Sequence, residues 1–168
     1  MKYVTLANSL SASRIVLAPA TMWSLVEDRA ALSVLLFGIV IASDLVDGRI
    51  ARRRQQVSAL GTLIDHGSDA IFVTALCGVG AWLSLIPIAL PILITFAFLH
   101  YVLDSRGSEL RGSRLGRWNG IGYFVIVGAL LGVHHFAEGQ YLHRILYGCG
   151  WLLVVTTLMS IALRARRL

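Results

Sequence analysis

Four aspartates between positions 44 and 69 are the residues of this chain best suited to chemistry. Asp44 and Asp47 are three positions apart, and Asp65 and Asp69 are four apart. On helices these spacings place each pair on one face, so two carboxylate pairs can face each other from neighbouring helices. Carboxylates held this close need cations, and an all-oxygen ligand set favours Mg²⁺, Mn²⁺ or Ca²⁺ over zinc. Two Mg²⁺ or Mn²⁺ ions held there could bridge a pyrophosphate and stabilise a leaving phosphate.

Two other interpretations of the same aspartates stay open on this evidence. Arginines follow Asp47 closely, so a structural network of Asp–Arg salt bridges at a membrane interface would also use these residues. Carboxylates within a membrane also line the paths of ion or solute transporters. A transporter would explain the aspartates, but it would not explain the Gly, Ala and Arg residues spaced among them. The remaining hydrophobic segments also carry no deep ionisable residue that would continue such a path.

The elements that must position these carboxylates are long and apolar. Hydrophobic residues make up 57% of the 168 positions and charged residues only 14%, which is far from the composition of soluble domains. Six hydrophobic segments are predicted, at about 10–26, 30–47, 62–84, 86–103, 118–136 and 142–163. The sequence therefore predicts an all-α integral membrane protein, with six transmembrane helices in one bundle and a single domain over residues 1–168.

The basic residues predict the orientation of these helices. Nearly all of them fall at the two termini or in the segments 48–61 and 104–117, which the positive-inside rule assigns to the cytoplasm. The formal charge of +6 then indicates contact with anionic membrane lipids and not with nucleic acid. We expect the protein in a cell membrane of the bacterial inner-membrane type. Arg14, at the edge of the short first segment, is expected to snorkel to the interface.

The acidic residues belong to a longer pattern. Asp44-x-x-Asp47-Gly48-x-x-Ala51-Arg52, followed after eight residues by Gly61-x-x-x-Asp65-x-x-x-Asp69, resembles the full signature of the CDP-alcohol phosphatidyltransferase family. Asn8-Ser-Leu-Ser-Ala-Ser-Arg14 looks like the start of that family's first span. Ser113-Arg-Leu-Gly-Arg117-Trp is similar to the stretch before span five in phosphatidylglycerophosphate synthases, although Asn119-Gly120 replaces the expected Lys-Thr.

The resemblance implies a reaction and a role for each signature residue. The hydroxyl of an acceptor would attack the outer phosphorus of a CDP-linked alcohol, which would give a phosphodiester and release CMP. Metal binding would fall to Asp44, Asp47, Asp65 and Asp69, and Asp69 would also serve as the general base. The nucleotide-binding surface would be formed by Asp44, Gly48, Ala51, Arg52 and Gly61. The active site would face the cytoplasm, and a homodimer is implied because the family often forms one.

The pattern indicates the type of reaction more firmly than it indicates the substrates. The leading hypothesis takes CDP-diacylglycerol as donor and a small alcohol such as glycerol 3-phosphate as acceptor. Four arginines could bind the acceptor phosphate, although a positive-inside cluster needs no such purpose: Arg106, Arg111, Arg114 and Arg117.

Asp65-His-Gly-Ser-Asp69 supports an alternative pair of substrates. It looks more like the Asp-His-Gly-x-Asp of choline and ethanolamine phosphotransferases. In that case CDP-ethanolamine or CDP-choline would be the donor and diacylglycerol the acceptor. His66 itself should point about 100° away from Asp65 on an ideal helix, which favours a packing or interface role for its ring.

Overall fold

The described residues form six α-helices. The computed structural model describes the backbone of residues 6–53, 59–104 and 114–165, and the side chains of residues 11–46, 61–103 and 114–165. The helices are α1 (Leu6–Val26), α2 (Ala30–Arg53), α3 (Ala59–Trp82), α4 (Ala89–Asp104), α5 (Arg114–Phe136) and α6 (Gln140–Ala165). The predicted all-α class, the number of helices and their order are confirmed over these ranges.

Several helices extend beyond the hydrophobic segments that predict them. α2 continues to Arg53, so Gly48, Ala51 and Arg52 are helical and do not lie in a connecting segment. α5 begins at Arg114 instead of near 118, which places Arg114 and Arg117 in its first turn. The physical reason is that hydrophobicity marks only the apolar part of a helix. Ala and Arg are good helix formers, so the backbone can stay helical in polar surroundings.

Two of the described helices, α5 and α6, are long and apolar enough to cross a bilayer. Shorter apolar stretches occur at Ala30–Val46 in α2 and Ala89–Leu103 in α4. In α1 and α3 the apolar sequence is interrupted by charged residues, among them Arg14, Asp65 and Asp69. Six membrane spans in one bundle therefore stay a prediction.

The chain divides into two compact units, residues 1–72 and 73–168, with the division inside α3. In the first unit α1 packs against α2. Buried residues of α1 recur every three or four positions, so they form one buried face along most of the helix. These residues are Ser11, Arg14, Ala18, Thr21 and Leu25.

Two side-chain contacts connect the helices of this first unit. Near the turn between α1 and α2, the hydroxyls of Ser24 and Ser33 are hydrogen-bonded at 2.9 Å. Further along α2, Phe37 stacks on Phe72 of α3 with ring centroids 6.3 Å apart. Two helical turns beyond Phe37, the same region of α2 carries Asp44. The packing thus brings the first half of α1, the later part of α2 and the first half of α3 together around polar residues.

In the second unit α6 contacts both α4 and α5. The Tyr123 hydroxyl lies 2.6 Å from Thr157 Oγ1, which joins α5 to α6 by a polar contact among apolar side chains. Gly150 of α6 lies directly against the ring of Pro87, and a Cβ at this position would overlap that ring. A glycine is therefore required for this close approach.

Candidate active site

The side chain of Arg14 lies at the centre of an acidic cluster, which we define as Asp44, Asp65 and Asp69. Arg14 Nη1 donates to Asp65 Oδ1 at 2.9 Å and to Asp69 Oδ1 at 2.5 Å. Arg14 Nη2 donates to Asp44 Oδ1 at 2.9 Å. The guanidinium suits this position because its N–H groups form a planar fork with several donors. A single α1 residue thus connects carboxylates from α2 and α3.

Ser11, one helical turn before Arg14, contacts the same cluster. Its buried hydroxyl donates to Asp65 Oδ1 at 3.2 Å. The spacing of three residues places Ser11 and Arg14 on one face of α1, where both reach the same carboxylate. Both residues belong to the Asn-Ser-Leu-Ser-Ala-Ser-Arg14 stretch at the start of the first hydrophobic segment. Ser11 and Arg14 of this stretch are therefore part of the candidate site as well as of a helix.

The prediction that Arg14 snorkels to the interface is wrong, because its side chain has 0% relative exposure. A buried cation is costly unless it is paired, and three carboxylates within hydrogen-bonding distance supply that pairing. The contribution of Ser11 and Arg14 was missed at the level of sequence. The available signal was a Ser-x-x-Arg spacing on one face of an otherwise apolar helix.

The carboxylates are more open than the guanidinium that joins them. The side chains of Asp44, Asp65 and Asp69 are 46%, 35% and 24% exposed, against 0% for Arg14. The guanidinium therefore lies beneath the acidic cluster, while the carboxylates stay accessible to a ligand from the other side. Three negative charges and one positive charge leave a formal balance of −2, which attracts cations.

The structure brings together three of the four predicted metal ligands. Asp47 lies in α2, three residues after Asp44, and its side chain is outside the described part of the chain, as are those of Gly48, Ala51 and Arg52. Gly61 is the third residue of α3 and precedes Asp65 by one turn. Arg106 and Arg111 lie outside the described residues, whereas Arg114 and Arg117 are exposed at the start of α5.

His66 is closer to the acidic residues than its helix position suggests. One ligand atom each from Asp65, His66 and Asp69 lies within 4.8 Å of the others, and the His66 side chain is exposed. Exposure of the ring argues against packing in the protein interior, and an interface role for His66 stays a prediction. Adjacent positions on a helix diverge by about 100°, but the side chains are long enough to bend back toward a common point.

The donor set fits a divalent metal. Asp44, Asp65 and Asp69 offer carboxylate oxygens from two helices, which Mg²⁺ and Mn²⁺ prefer, and His66 offers a nitrogen that Mn²⁺ also accepts. When bound, such ions would neutralise a pyrophosphate and stabilise a leaving phosphate. The protein's part is to converge the carboxylates on one open face.

Residues 4–161 match the CDP-alcohol phosphatidyltransferase family. This match covers nearly the whole chain, and the protein therefore belongs to that family. Its members are membrane-bound, metal-dependent enzymes. The family predicted from the sequence is confirmed.

Three relatives are each named cardiolipin synthase (CMP-forming). The one from Streptomyces coelicolor is 30% identical over 101 residues, which cover 55% of this chain and 46% of the relative. The human one is 35% identical over 91 residues, covering 54% of this chain and 30% of the relative, and the rat one is 34% identical over the same shares. This chain thus matches less than half the length of each relative. No solved structure matches it.

Proposed function

We propose that this protein transfers a phosphatidyl group from CDP-diacylglycerol to an alcohol and releases CMP, as a step of phospholipid biosynthesis. The observation that carries the proposal is the convergence of Asp44, Asp65 and Asp69 on one open face, within a chain that matches the family over residues 4–161. In the reaction, the acceptor oxygen forms a bond to the phosphorus of the phosphatidyl group. The bond from that phosphorus to the bridging pyrophosphate oxygen breaks, and CMP leaves.

The aspartates have distinct roles in this proposal. Asp44, Asp47 and Asp65 would hold two Mg²⁺ or Mn²⁺ ions, and Asp69 would both contribute to metal binding and accept the proton of the attacking hydroxyl. Asp69 is the least exposed of the three described carboxylates and lies one turn further along α3 than Asp65. This position supports the base role because an enclosed carboxylate can meet the acceptor hydroxyl away from bulk water.

The donor nucleotide is proposed to bind beside these carboxylates. Asp44, Gly48, Ala51 and Arg52 follow one another along the cytoplasm-directed end of α2, and Gly61 stands near the start of α3. Small side chains at three of these positions leave room for the cytidine and pyrophosphate to approach the helix backbone. Arg52 would contact the phosphates.

The acceptor is proposed to be phosphatidylglycerol, because the three relatives are named cardiolipin synthases that form CMP. Glycerol 3-phosphate is the second candidate. Both molecules offer a free hydroxyl and a phosphate on one glycerol, and the exposed Arg114 and Arg117 are suited to bind such a phosphate together with Arg106 and Arg111. The relatives' names favour this lipid-donor reaction over transfer from CDP-ethanolamine or CDP-choline.

We further propose a membrane setting with the site on the cytoplasmic side. Large apolar side chains are exposed along α5 and α6, among them Val125, Leu152 and Val155, as expected for surfaces in contact with lipid. The basic residues favour cytoplasmic termini, and the membrane proposed is of the bacterial inner-membrane type. Membrane lipids are then both surroundings and substrates.

Purified protein supplied with acyl-labelled CDP-diacylglycerol and a panel of acceptors tests the proposal. With phosphatidylglycerol we expect labelled cardiolipin and one CMP per product. If only glycerol 3-phosphate gives a labelled product, phosphatidylglycerophosphate, then glycerol 3-phosphate is the acceptor and the proposed phosphatidyl transfer stands. Product only from CDP-ethanolamine or CDP-choline with diacylglycerol would select the alternative donor, and no CMP from any pair would refute an enzyme of this class.

A further inference from the structure

We propose that Arg14 is a resident cation of the acidic cluster: it holds Asp44, Asp65 and Asp69 together in the metal-free protein, and its positive charge opposes the binding of a divalent metal on their open side. This inference rests on the metal-dependent function proposed above. Arg14 is then a positioning residue that lowers metal affinity, and its removal should strengthen metal binding.

The contacts of Arg14 provide the first argument. Its two terminal nitrogens reach carboxylates from two different helices, all at 2.9 Å or less. Without a cation between them, three carboxylates this close would repel one another. Because Arg14 has no exposed surface, its charge is also poorly screened by water and acts strongly on its neighbours. Arg14 therefore supplies the compensation that keeps the acidic cluster assembled when no metal is present.

Repulsion between like charges provides the second argument. Arg14 contacts the Oδ1 atoms of the same three carboxylates that a metal ion would approach from their open side. A carboxylate can accept a hydrogen bond and bind a metal ion at the same time, so Arg14 can stay in place, but the two positive charges repel each other. This repulsion is therefore part of the free energy of metal binding. A variant that lacks the guanidinium should not have to overcome it.

Ser11 separates the effect of charge from that of position. Its hydroxyl bonds to the same Asp65 Oδ1 atom as Arg14, yet it carries no charge. Loss of Ser11 should leave the repulsion between metal and guanidinium unchanged. Ser11→Ala is therefore expected to bind metal no more tightly than the wild type, in contrast to variants of Arg14.

The test measures Mn²⁺ binding by paramagnetic resonance of the free ion, with the full chain in detergent and no nucleotide present. Arg14→Met keeps an unbranched side chain but removes the charge. We expect its Kd for Mn²⁺ to fall at least about tenfold, since a unit charge a few Å away has a large effect at a buried site. The metal-free variant should also unfold at a lower temperature and gain more from Mn²⁺ than the wild type does.

Two further variants keep the proposal falsifiable. Arg14→Lys retains a charge, but a single ammonium cannot span three carboxylates, so its Kd should lie between those of the wild type and Arg14→Met. If Arg14→Met does not fold, a Kd for Arg14→Lys equal to or above the wild-type value overturns the proposal. Ser33→Ala is the control, because it removes a buried hydrogen bond of α2 away from the acidic cluster. It should lower the unfolding temperature and leave the Kd unchanged.

The outcomes distinguish this inference from the proposed function. Mn²⁺ binding by the wild type, with equal or weaker binding by both Arg14 variants, overturns the inference and leaves the proposed function intact. Absence of saturable Mn²⁺ binding by the wild type and by both variants contradicts the metal dependence itself, and Arg14 is then a partner in a structural ion-pair network.

Discussion

At the scale of single residues, charge compensation determines what the acidic cluster can bind. Asp44, Asp65 and Asp69 converge on the buried guanidinium of Arg14, and their excess negative charge lies on the exposed side. Removal of one partner from a buried ion pair typically costs about 3–5 kcal/mol, because the other charge stays buried. The same arrangement that stabilises the helices can therefore receive cations and the phosphates they bind.

Asp69→Asn tests the role of a single carboxylate as general base. The amide keeps the shape and one oxygen ligand, but it cannot accept the proton of the alcohol. We expect metal and CDP-diacylglycerol binding to be largely retained, while turnover falls by a factor of about 10²–10⁴ or more, the usual contribution of a placed base. Equilibrium donor binding and initial rates, measured on the same preparation, check both parts.

Glu138→Gln is the matched control for Asp69→Asn. Glu138 is an exposed carboxylate in the turn between α5 and α6, at the opposite end of α5 from Arg114 and Arg117. The same loss of charge at this position should leave turnover unchanged. Near-normal turnover in the Asp69 variant would mean that another group or solvent takes the proton.

Arg117→Ala tests recognition of the acceptor phosphate. Arg117 is exposed in the first turn of α5, so its replacement should not disturb packing. If its guanidinium binds the acceptor, the KM for the acceptor should rise far more than the KM for the donor. Arg144→Ala, an exposed residue near the start of α6, serves as the control and should change neither value. Equal increases in both KM values for Arg117→Ala would exclude an acceptor site there.

At the scale of the helices, the functional residues occupy ends that continue past the apolar sequence. Apolar stretches and the spacing of the aspartates were enough to predict six helices and one acidic face on each of α2 and α3, since helical periodicity is a local property. The contacts of Arg14 and Ser11 with the acidic cluster could not be predicted in this way. Periodicity tells which residues share a face, but not which face of α1 packs against Asp44 and Asp65.

Gly61→Leu tests the proposed nucleotide surface at the start of α3. Gly61 is partly exposed one turn before Asp65, so added bulk should block the nucleotide without disturbing a packed core. We expect loss of CDP binding, measured by calorimetry, with unchanged helicity by circular dichroism. Gly38→Leu is the control, because an added Cβ at this exposed position of α2 meets no atom within 4 Å. Tight CDP binding by the Gly61 variant would refute the assignment.

Gly150→Ala tests the close packing of α6 against the segment before α4. A Cβ at Gly150 would overlap the ring of Pro87, and overpacking of this kind typically costs about 1–3 kcal/mol. We expect a lower unfolding temperature in detergent. Gly148→Ala, on the same helix with open space around its Cβ, should be neutral or stabilising by up to about 1 kcal/mol, because alanine favours helix more than glycine does. Equal effects of the two substitutions would contradict the described packing.

At the scale of the whole molecule, the chain combines a polar site with surfaces suited to lipid. Residues 4–161 belong to a family of membrane-bound enzymes, and α5 and α6 are long enough to cross a bilayer. The orientation in the membrane and the homodimer stay predictions. An exposed apolar helix face is equally suited to contact lipid or a second copy of the chain. Composition alone therefore does not select between these two partners.

The most direct test of the central claim is the release of CMP from CDP-diacylglycerol by the purified protein, measured with phosphatidylglycerol while the free divalent metal is varied. The account predicts no release in EDTA and full recovery on addition of Mg²⁺ or Mn²⁺, because the carboxylates of the acidic cluster would hold these ions and the ions would neutralise the charge of the pyrophosphate. Asp44→Asn should need more metal than the wild type to reach half its maximal rate. Undiminished CMP release in EDTA would contradict the account.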